Sequence, residues 1–266
     1  MGNRTRLDQI EKYVSQNGRV EIDEIGRLFN ISTATARRNL DKLAEAGRIQ
    51  RVHGGATAIE KAPPEPPFHM RGNTQADEKR NIGRVTAGLV NNGDTILMGG
   101  GTTVFEVAKQ LHGKKNITVI TNSLMVANAL VNQSEITLFI LGGFIRHAEQ
   151  LTYGLYTEQV LSDLYVDKVI IGIRAISMER GLSIDFFPEL ATERLLLKKG
   201  KEVIVAADHT KFNREATTTI GPIAAVNRIV TDSQAPEKMV AELKDMGIDV
   251  IIADNLGQGV PDDPTL

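Results

Sequence analysis

The chain has no cysteine among its 266 residues. Disulfide staples, thiolate metal sites and thiol nucleophiles are thereby excluded, and a reducing cytoplasm is permitted. No apolar run approaches the roughly 18 residues needed to cross a membrane. No apolar signal core follows Met1-Gly2-Asn3-Arg4-Thr5-Arg6, and Met1-Gly2 alone is a weak cue for a lipid anchor. A cytoplasmic protein without a membrane partner is expected. No large charge of either sign is present, since 31 Lys/Arg face 33 Asp/Glu for a net charge of −2. Proline is scarce, nine in all, yet four stand within five positions at Pro63, Pro64, Pro66 and Pro67. What is abundant is ordinary for a globular chain: 41% hydrophobic and 24% charged residues, enough for one large domain or two smaller ones.

The near-neutral total hides an asymmetry. Residues 1–57 carry ten Lys/Arg against seven Asp/Glu, and the remainder carries 21 against 26. A small basic head on a mildly acidic body is the sign pattern of a DNA-reading module on a domain with another task. In the head, Leu7, Ile10 and Val14 predict a helix over 6–16, ended by Asn17-Gly18. A short extended piece follows at 20–22. A second helix over 23–29 would bury Ile25, Leu28 and Phe29. Ser32 suits the N-cap of a third helix that runs to about Ala46 and stops at Gly47.

On this third helix Ala36, Leu40 and Leu43 share one side, Thr35, Arg38 and Lys42 the other, and Arg37 the flank. That is the layout of a recognition helix in a DNA major groove. A solvated amphipathic helix with two surface arginines has the same pattern, and the setting decides between them. Arg48 and Arg51 flank Ile49 and Val52 ahead of Gly54-Gly55, so a wing that touches phosphates is expected. The whole reads as a winged helix-turn-helix, with Ser32, Thr33, Thr35, Arg37, Arg38, Lys42, Arg48, Arg51 and His53 as candidate DNA contacts.

The proline run makes 58–67 a stiff spacer. Beyond it, over 68–256, apolar strands alternate with helical stretches. Helix is expected over 68–90 and strands over 95–98, 117–121, 136–141, 168–173, 202–207 and 250–253, with a short one at 229–230. Helices at 104–111, 124–131, 158–164, 189–198 and 237–246 separate them, and 257–266 is a loose tail. The fold class is α/β, a mostly parallel sheet covered on both faces.

Ligands of such sheets sit at the carboxyl ends of strands, near a reversal in strand order. Four strand ends carry small or polar residues: Gly99-Gly100-Gly101-Thr102-Thr103, Thr121-Asn122-Ser123, Gly142-Gly143 and Asp208-His209-Thr210-Lys211. Glycines let backbone N–H groups approach an anion, a helix starting near Val104 aims its positive end there, and Lys211 adds a full charge. Phosphate is the natural guest. A dinucleotide site is disfavoured because the third glycine of G-x-G-x-x-G is missing and Asn122 stands where an acid would hold a ribose. No Gly-Lys-Ser/Thr follows the glycines, so a Walker loop is absent. Neither a cofactor nor a metal is expected.

Ser32, Thr35, Arg37, Arg38, Leu40, Leu43, Gly47, Arg51 and His53-Gly54-Gly55-Ala56 resemble the N-terminal signature of the DeoR family, bacterial repressors of sugar metabolism. Glu78-Lys79, Gly101-Thr102-Thr103, Thr121-Asn122-Ser123-Leu124, Leu141-Gly142-Gly143, Gly181-Leu182-Ser183, Glu189, Asp208-His209-Thr210-Lys211-Phe212 and Thr231-Asp232 resemble its sensor domain, in order. The resemblance implies a sensor similar in fold to ribose-5-phosphate isomerase, with a phosphorylated sugar held by Gly101-Thr102-Thr103 and Lys211. Three positions depart from the family pattern: Asn39 for Asp, Ala36 for Ile or Val, and Gly99 for Asp.

Arg174 at a strand end is either an anion clamp or an ion-pair partner at a subunit contact. His209 either bonds a sugar hydroxyl or is a packed loop histidine. Glu189, Glu193 and Arg194 read most simply as a solvated helix face, although Glu189 matches a family position bordering the pocket. The expected protein is no enzyme but a regulator, a repressor of carbohydrate genes, that binds a double-stranded DNA operator and a phosphorylated sugar or related effector. Paired heads fit a palindromic or repeated operator, so a homo-oligomer, dimer or tetramer, is expected. A sugar-phosphate isomerase is the alternative, with Asp208 as its base.

Overall fold

The computed structural model describes residues 3–45, 48–52, 54–58, 60–61 and 65–253. The expected stop at Gly47, the candidate His53, Pro63 and Pro64 of the spacer and the tail lie outside the described residues. The chain divides into two compact units, 1–61 with 213–215 and 62–212 with 216–266.

The first unit builds on helices Asn3–Asn17, Ile22–Leu28 and Thr33–Glu45. Three short antiparallel strands, Arg19–Glu21, Gly55–Thr57 and Gln50–Val52, sit in that spatial order. Ile10, Val14, Ile25, Leu40, Leu43 and Ile49 meet in one core and are fully buried. Glu21 and Glu24 form a capping box at the second helix, which satisfies two otherwise orphan N–H groups. Leu28, expected in the core, is exposed instead. The helix ends at this residue, and its buried face is Ile22, Ile25 and Gly26.

The second unit is organised by a seven-stranded parallel sheet. Its spatial order is Asp249–Ile252, Arg228–Thr231, Gly200–Ala206, Val166–Ile171, Thr95–Met98, Ile117–Thr121 and Ile136–Ile140. The chain therefore enters in the interior of the sheet, at Thr95–Met98. It runs outward to one edge, returns to the other side of its first strand, and runs outward again. Side chains alternate between two apolar layers: Leu97, Val169, Ile171, Val203 and Val205 face one, and Ile96, Met98, Ile170, Ile204 and Ala206 the other. Burial on both faces explains why these strands read as continuous apolar runs.

Three features depart from expectation. The helical stretch over 68–90 is broken into Phe68–Arg71 and Ala76–Gly88, with Gln75 left-handed at φ 48° between them. A hairpin, Phe144–Arg146 paired with Leu151–Tyr153, follows the edge strand. An antiparallel sheet of Ala175–Ser177, Gly181–Ile184 and Thr218–Gly221 lies outside the main one. Strands of three or four residues carry too little periodicity to stand out in a sequence.

The wing strand of the first unit leaves no room for a side chain at Gly55, where an added Cβ would lie 1.9 Å from the Val20 carbonyl oxygen. Gly55→Ala is expected to destabilise this unit by roughly 1–3 kcal/mol, seen as a lower urea midpoint. Gly72→Ala, at an ordinary φ of −56° with nothing within 4 Å, should change little.

Candidate functional site

The first unit presents a cationic surface on the helix Thr33–Glu45. Arg37, Arg38 and Lys42 are exposed, while Ala36, Leu40 and Leu43 are buried beneath them. Ser32 Oγ accepts the Thr35 N–H at 3.2 Å and lies 2.9 Å from Thr35 Oγ1. One hydroxyl thus both starts the helix and orients Thr35. Thr33 is exposed in the first turn. Arg38 Nε donates back to the Ala34 carbonyl at 3.4 Å. Asn39 is buried, and its Nδ2 has no partner among the described residues.

The two wing arginines are held within the unit. Arg48 Nε donates to Glu11 at 3.0 Å, and its Nη2 donates to Asp8 at 2.6 Å and also to Glu11. Those bonds, Glu11 first, raise its pKa. Arg51 Nε donates to Asp41 at 2.9 Å, and its Nη1 donates to the Gly55 carbonyl. Both, expected at DNA phosphates, tie the wing to the helices here, because acids of the first and third helices lie within reach of their guanidinium groups.

In the second unit the strand order reverses between Thr95–Met98 and Val166–Ile171. A crevice opens where the chain leaves such a pair on opposite faces. It encloses a cavity of about 80 Å³ lined by Gly99 to Thr103, Gly172 to Arg174, Ala206, Ala207 and Lys211, among others. The two central loops nearly touch, since a Cβ on Gly172 would lie 3.2 Å from the Gly100 oxygen. Gly101 turns the chain at φ 110°, a region open chiefly to glycine. The helix Thr102–Lys109 starts directly after it. No acceptor among the described residues takes the N–H groups of Gly100, Gly101, Thr102 or Thr103. Four free donors at a positive helix end favour an anion.

Lys211 lines the same cavity, and its ammonium makes no hydrogen bond or ion pair among the described residues. Burial holds its pKa below the usual lysine value, against the pull of Asp208. A bound anion would restore the charged form.

The rest of the lining is a network of ion pairs. Arg71 holds Glu65 at 2.7 Å and also Glu149, Arg146 holds Glu189 at 2.7 Å, and Arg174 holds Asp185 at 2.9 Å. Arg146 also stacks over the Phe186 ring at 4.5 Å. Glu189 Oε1 and Arg71 Nε are buried without partners among the described residues. Burial drives the carboxyls up: Glu189 to about 7, and Glu193, with Glu189 as the next cause, to about 8. Glu149 is raised for the same first reason. Glu189 and Glu193, read from sequence as part of a solvated helix face, are therefore cleft residues, whereas Arg194 is exposed and donates to the Thr219 carbonyl at 3.0 Å. Arg174, weighed as a subunit contact, makes its ion pairs inside the cleft.

Of the expected ligand residues, Gly99, Gly100, Gly101, Thr102, Thr103, Arg174, Glu189 and Lys211 line this one cavity. Thr121, Asn122, Ser123, Gly142, Gly143 and Asp208 do not. Their strands lead away from the reversal, and most of their polar atoms are engaged locally, Asn122 Oδ1 being buried without a partner among the described residues. Asn122 Nδ2 donates to the Thr152 carbonyl at 3.0 Å, and Thr121 Oγ1 accepts the Ser123 N–H at 3.0 Å. Ser123 Oγ caps the next helix. The Gly142 carbonyl accepts Thr157 Oγ1 at 2.6 Å, and a Cβ on Gly143 would meet that same Oγ1 at 2.3 Å. These bonds seat the hairpin, whose Arg146, Glu149 and Leu151 reach the cavity. Asp208 accepts the Thr210 N–H at 3.0 Å, and His209 Nδ1 lies 2.9 Å from Asp232. Glu65, Arg71, Arg146, Glu149, Asp185 and Glu193 were missed. Glu65, Glu149 and Asp185 lie between named elements, whereas Arg71 and Glu193 are on helices and Arg146 on a strand, so only their charge hinted at them.

The raised carboxyls fix the sign of a pH effect. Both bind their proton more tightly in the fold than at the ordinary 4.5. Their stabilising contribution is full below about pH 4.5 and is lost as pH rises through about 7 to 8. Glu189→Gln should therefore lose less in thermal midpoint between about pH 5 and 8.5 than the parent chain. An equal loss in both would contradict the assignment.

Residues 6–62 match the DeoR-like helix-turn-helix domain and residues 74–233 the DeoR C terminal sensor domain. The glycerol-3-phosphate regulon repressor of Escherichia coli (strain K12) is 33% identical over 240 residues, 90% of this chain and 95% of that protein. Transcriptional repressor AccR of Agrobacterium fabrum is 37% identical over 213 residues, 79% and 83% of the two chains. The HTH-type transcriptional regulator IolR of Bacillus subtilis is 31% identical over 226 residues, 85% and 90%. Among solved structures, ribose 5-phosphate isomerase A of Methanocaldococcus jannaschii aligns over 52% of this chain and 55% of its own, with 18% identity and a TM-score of 0.39. With its helix-turn-helix head and its sensor domain both matched, the chain belongs to the DeoR family of transcriptional regulators.

Proposed function

We propose that this DNA-binding regulator represses genes of carbohydrate metabolism and is controlled by a phosphorylated sugar, or a related phosphorylated metabolite, bound in the cavity at the strand reversal. The observation that carries the ligand class is the pairing of four N–H donors at Gly100 to Thr103 with the half-buried ammonium of Lys211 in one cavity, none of them with an acceptor among the described residues. A phosphate group satisfies both, and the hydroxyls of a sugar have Glu189 Oε1 within the same lining. The family pattern's carboxylate at 99 is replaced by Gly99, whose missing Cβ would sit 3.1 Å from Ile171. Recognition of hydroxyls passes to Glu189 and Glu193. The operator is read from the exposed face of Ser32 to Lys42, by Arg37, Arg38 and Lys42 with Thr33 and Thr35. Two heads of a homo-oligomer supply the half-sites. Effector and operator are coupled, so each changes affinity for the other by the same factor.

Two substitutions separate the sites. Arg38→Ala should weaken operator binding tenfold or more, about 1–3 kcal/mol, with the thermal midpoint unchanged. Lys211→Ala should keep operator affinity while the shift in midpoint given by a panel of sugar phosphates disappears. Retained operator affinity in the first, or a retained shift in the second, would refute the corresponding site.

A further inference from the structure

One acid of the cavity comes from the proline-rich spacer. Glu65 stands between Pro64 and Pro66. Its side chain is 14% exposed and lines the same cavity as Gly100 to Thr103 and Lys211. Its Oε1 accepts from Arg71 Nη1 at 2.7 Å, and its Oε2 lies 3.8 Å from Arg174 Nε. Burial lowers the Lys211 pKa, and Asp208 followed by Glu65 acts against it. This carboxylate is therefore within electrostatic reach of the ammonium as well.

Neither arginine depends on it. Arg71 also holds Glu149, and Arg174 holds Asp185 at 2.9 Å. Among the described residues, Glu65 is the one acid of the lining that reaches two cations, and each of them has another acid. Arg71 is positioned by its own short helix. Phe68 at the start of that helix is buried, donates its N–H to the Ala148 carbonyl at 2.8 Å and meets the Phe105 ring edge-on at 5.9 Å. Lys79, buried, donates to the carbonyls of Arg71 at 2.8 Å and Thr74 at 2.5 Å. Glu65 precedes that helix, in a stretch over 65–67 that belongs to no helix or strand.

Carboxylate and phosphate are read by the same cationic donors. Glu65 engages the cations of the site but none of the N–H groups of Gly100 to Thr103, which have no acceptor among the described residues. A phosphate takes those N–H groups and the cations together, so it gains more here than the carboxylate does. The two oppose each other at close range, because like charges in a buried cavity are poorly screened.

We infer, given the phosphate site proposed above, that Glu65 is an internal competitor for the effector's anionic group, lodged among Arg71, Arg174 and Lys211 and expelled when that group binds. Its presence lowers the apparent affinity of the ligand, since only the fraction of chains with Glu65 withdrawn is competent to bind. The expelled residue belongs to the spacer that follows the operator-reading unit in the chain, so filling the cavity alters the spacer itself.

Glu65→Gln keeps the shape and removes the charge. With the thermal midpoint of the full chain as readout, inorganic phosphate should act on this variant at a concentration at least about tenfold lower than on the parent. Glu65→Ala should move the same way, whereas Glu65→Asp, which retains the charge on a shorter arm, should stay closer to the parent. Glu135→Gln, at an exposed acid outside the cavity, should respond as the parent does. A purely structural carboxylate gives the opposite sign, since its loss would loosen Arg71 and Arg174 and weaken phosphate binding. An equal or weaker response in folded Glu65→Gln and Glu65→Ala would overturn the inference and leave the phosphate site standing, and so would a tenfold gain in Glu135→Gln. No response to phosphate in the parent or any variant would overturn the site and the competitor together.

Discussion

The reversal of strand order between Thr95–Met98 and Val166–Ile171 is the constraint on which the second unit depends. On either side of it the crossover helices lie on opposite faces, so no helix covers the carboxyl ends of this pair. Only loops can fill the gap, and they must be thin. Gly99 to Gly101 and Gly172 meet this demand, with Gly172 too close to Gly100 for a side chain to enter freely. The cavity and its ring of unpaired N–H groups follow from that thinness. The hairpin Phe144–Arg146 with Leu151–Tyr153, the segment holding Glu65 and Arg71, and the turn at Glu189 then close in around it.

The lining brings together four cations, Arg71, Arg146, Arg174 and Lys211, and five acids, Glu65, Glu149, Asp185, Glu189 and Glu193. Buried charges persist only when paired. The arginines each hold an acid, and burial still raises Glu189, which Arg146 holds, to a pKa of about 7 and Glu193 to about 8. Fully ionised, five acids outnumber four cations in this lining; with Glu189 and Glu193 protonated and Lys211 charged, four cations face three acids.

The first unit solves a different problem with the same residue types. Its helix Thr33–Glu45 keeps Arg37, Arg38 and Lys42 exposed over an apolar stripe. Its small sheet needs anchoring, so Arg48 and Arg51 bond to Asp8, Glu11 and Asp41. In the second unit the hairpin serves two surfaces at once. Arg146, Glu149 and Leu151 line the cavity, while Phe144 and Ile145 are exposed.

Local pattern determined a good deal. The periodicity of Ala36, Leu40 and Leu43, the alternation of apolar strands with helices, and the glycine-threonine loop at 99–103 were legible because each depends on neighbours a few residues apart. Periodicity misplaced Leu28 and ran one helix through Gln75, where the backbone turns left-handed. The sequence by itself thus determined the two-part design and the residues poised at the central strand end. The tertiary structure decided which distant charges meet. Arg71 finds Glu149 and Arg146 finds Glu189 across long stretches of chain, and Arg48 turns to Glu11 instead of solvent. Strand order sets those encounters, and strand order depends on packing between segments far apart in sequence, which no local pattern encodes.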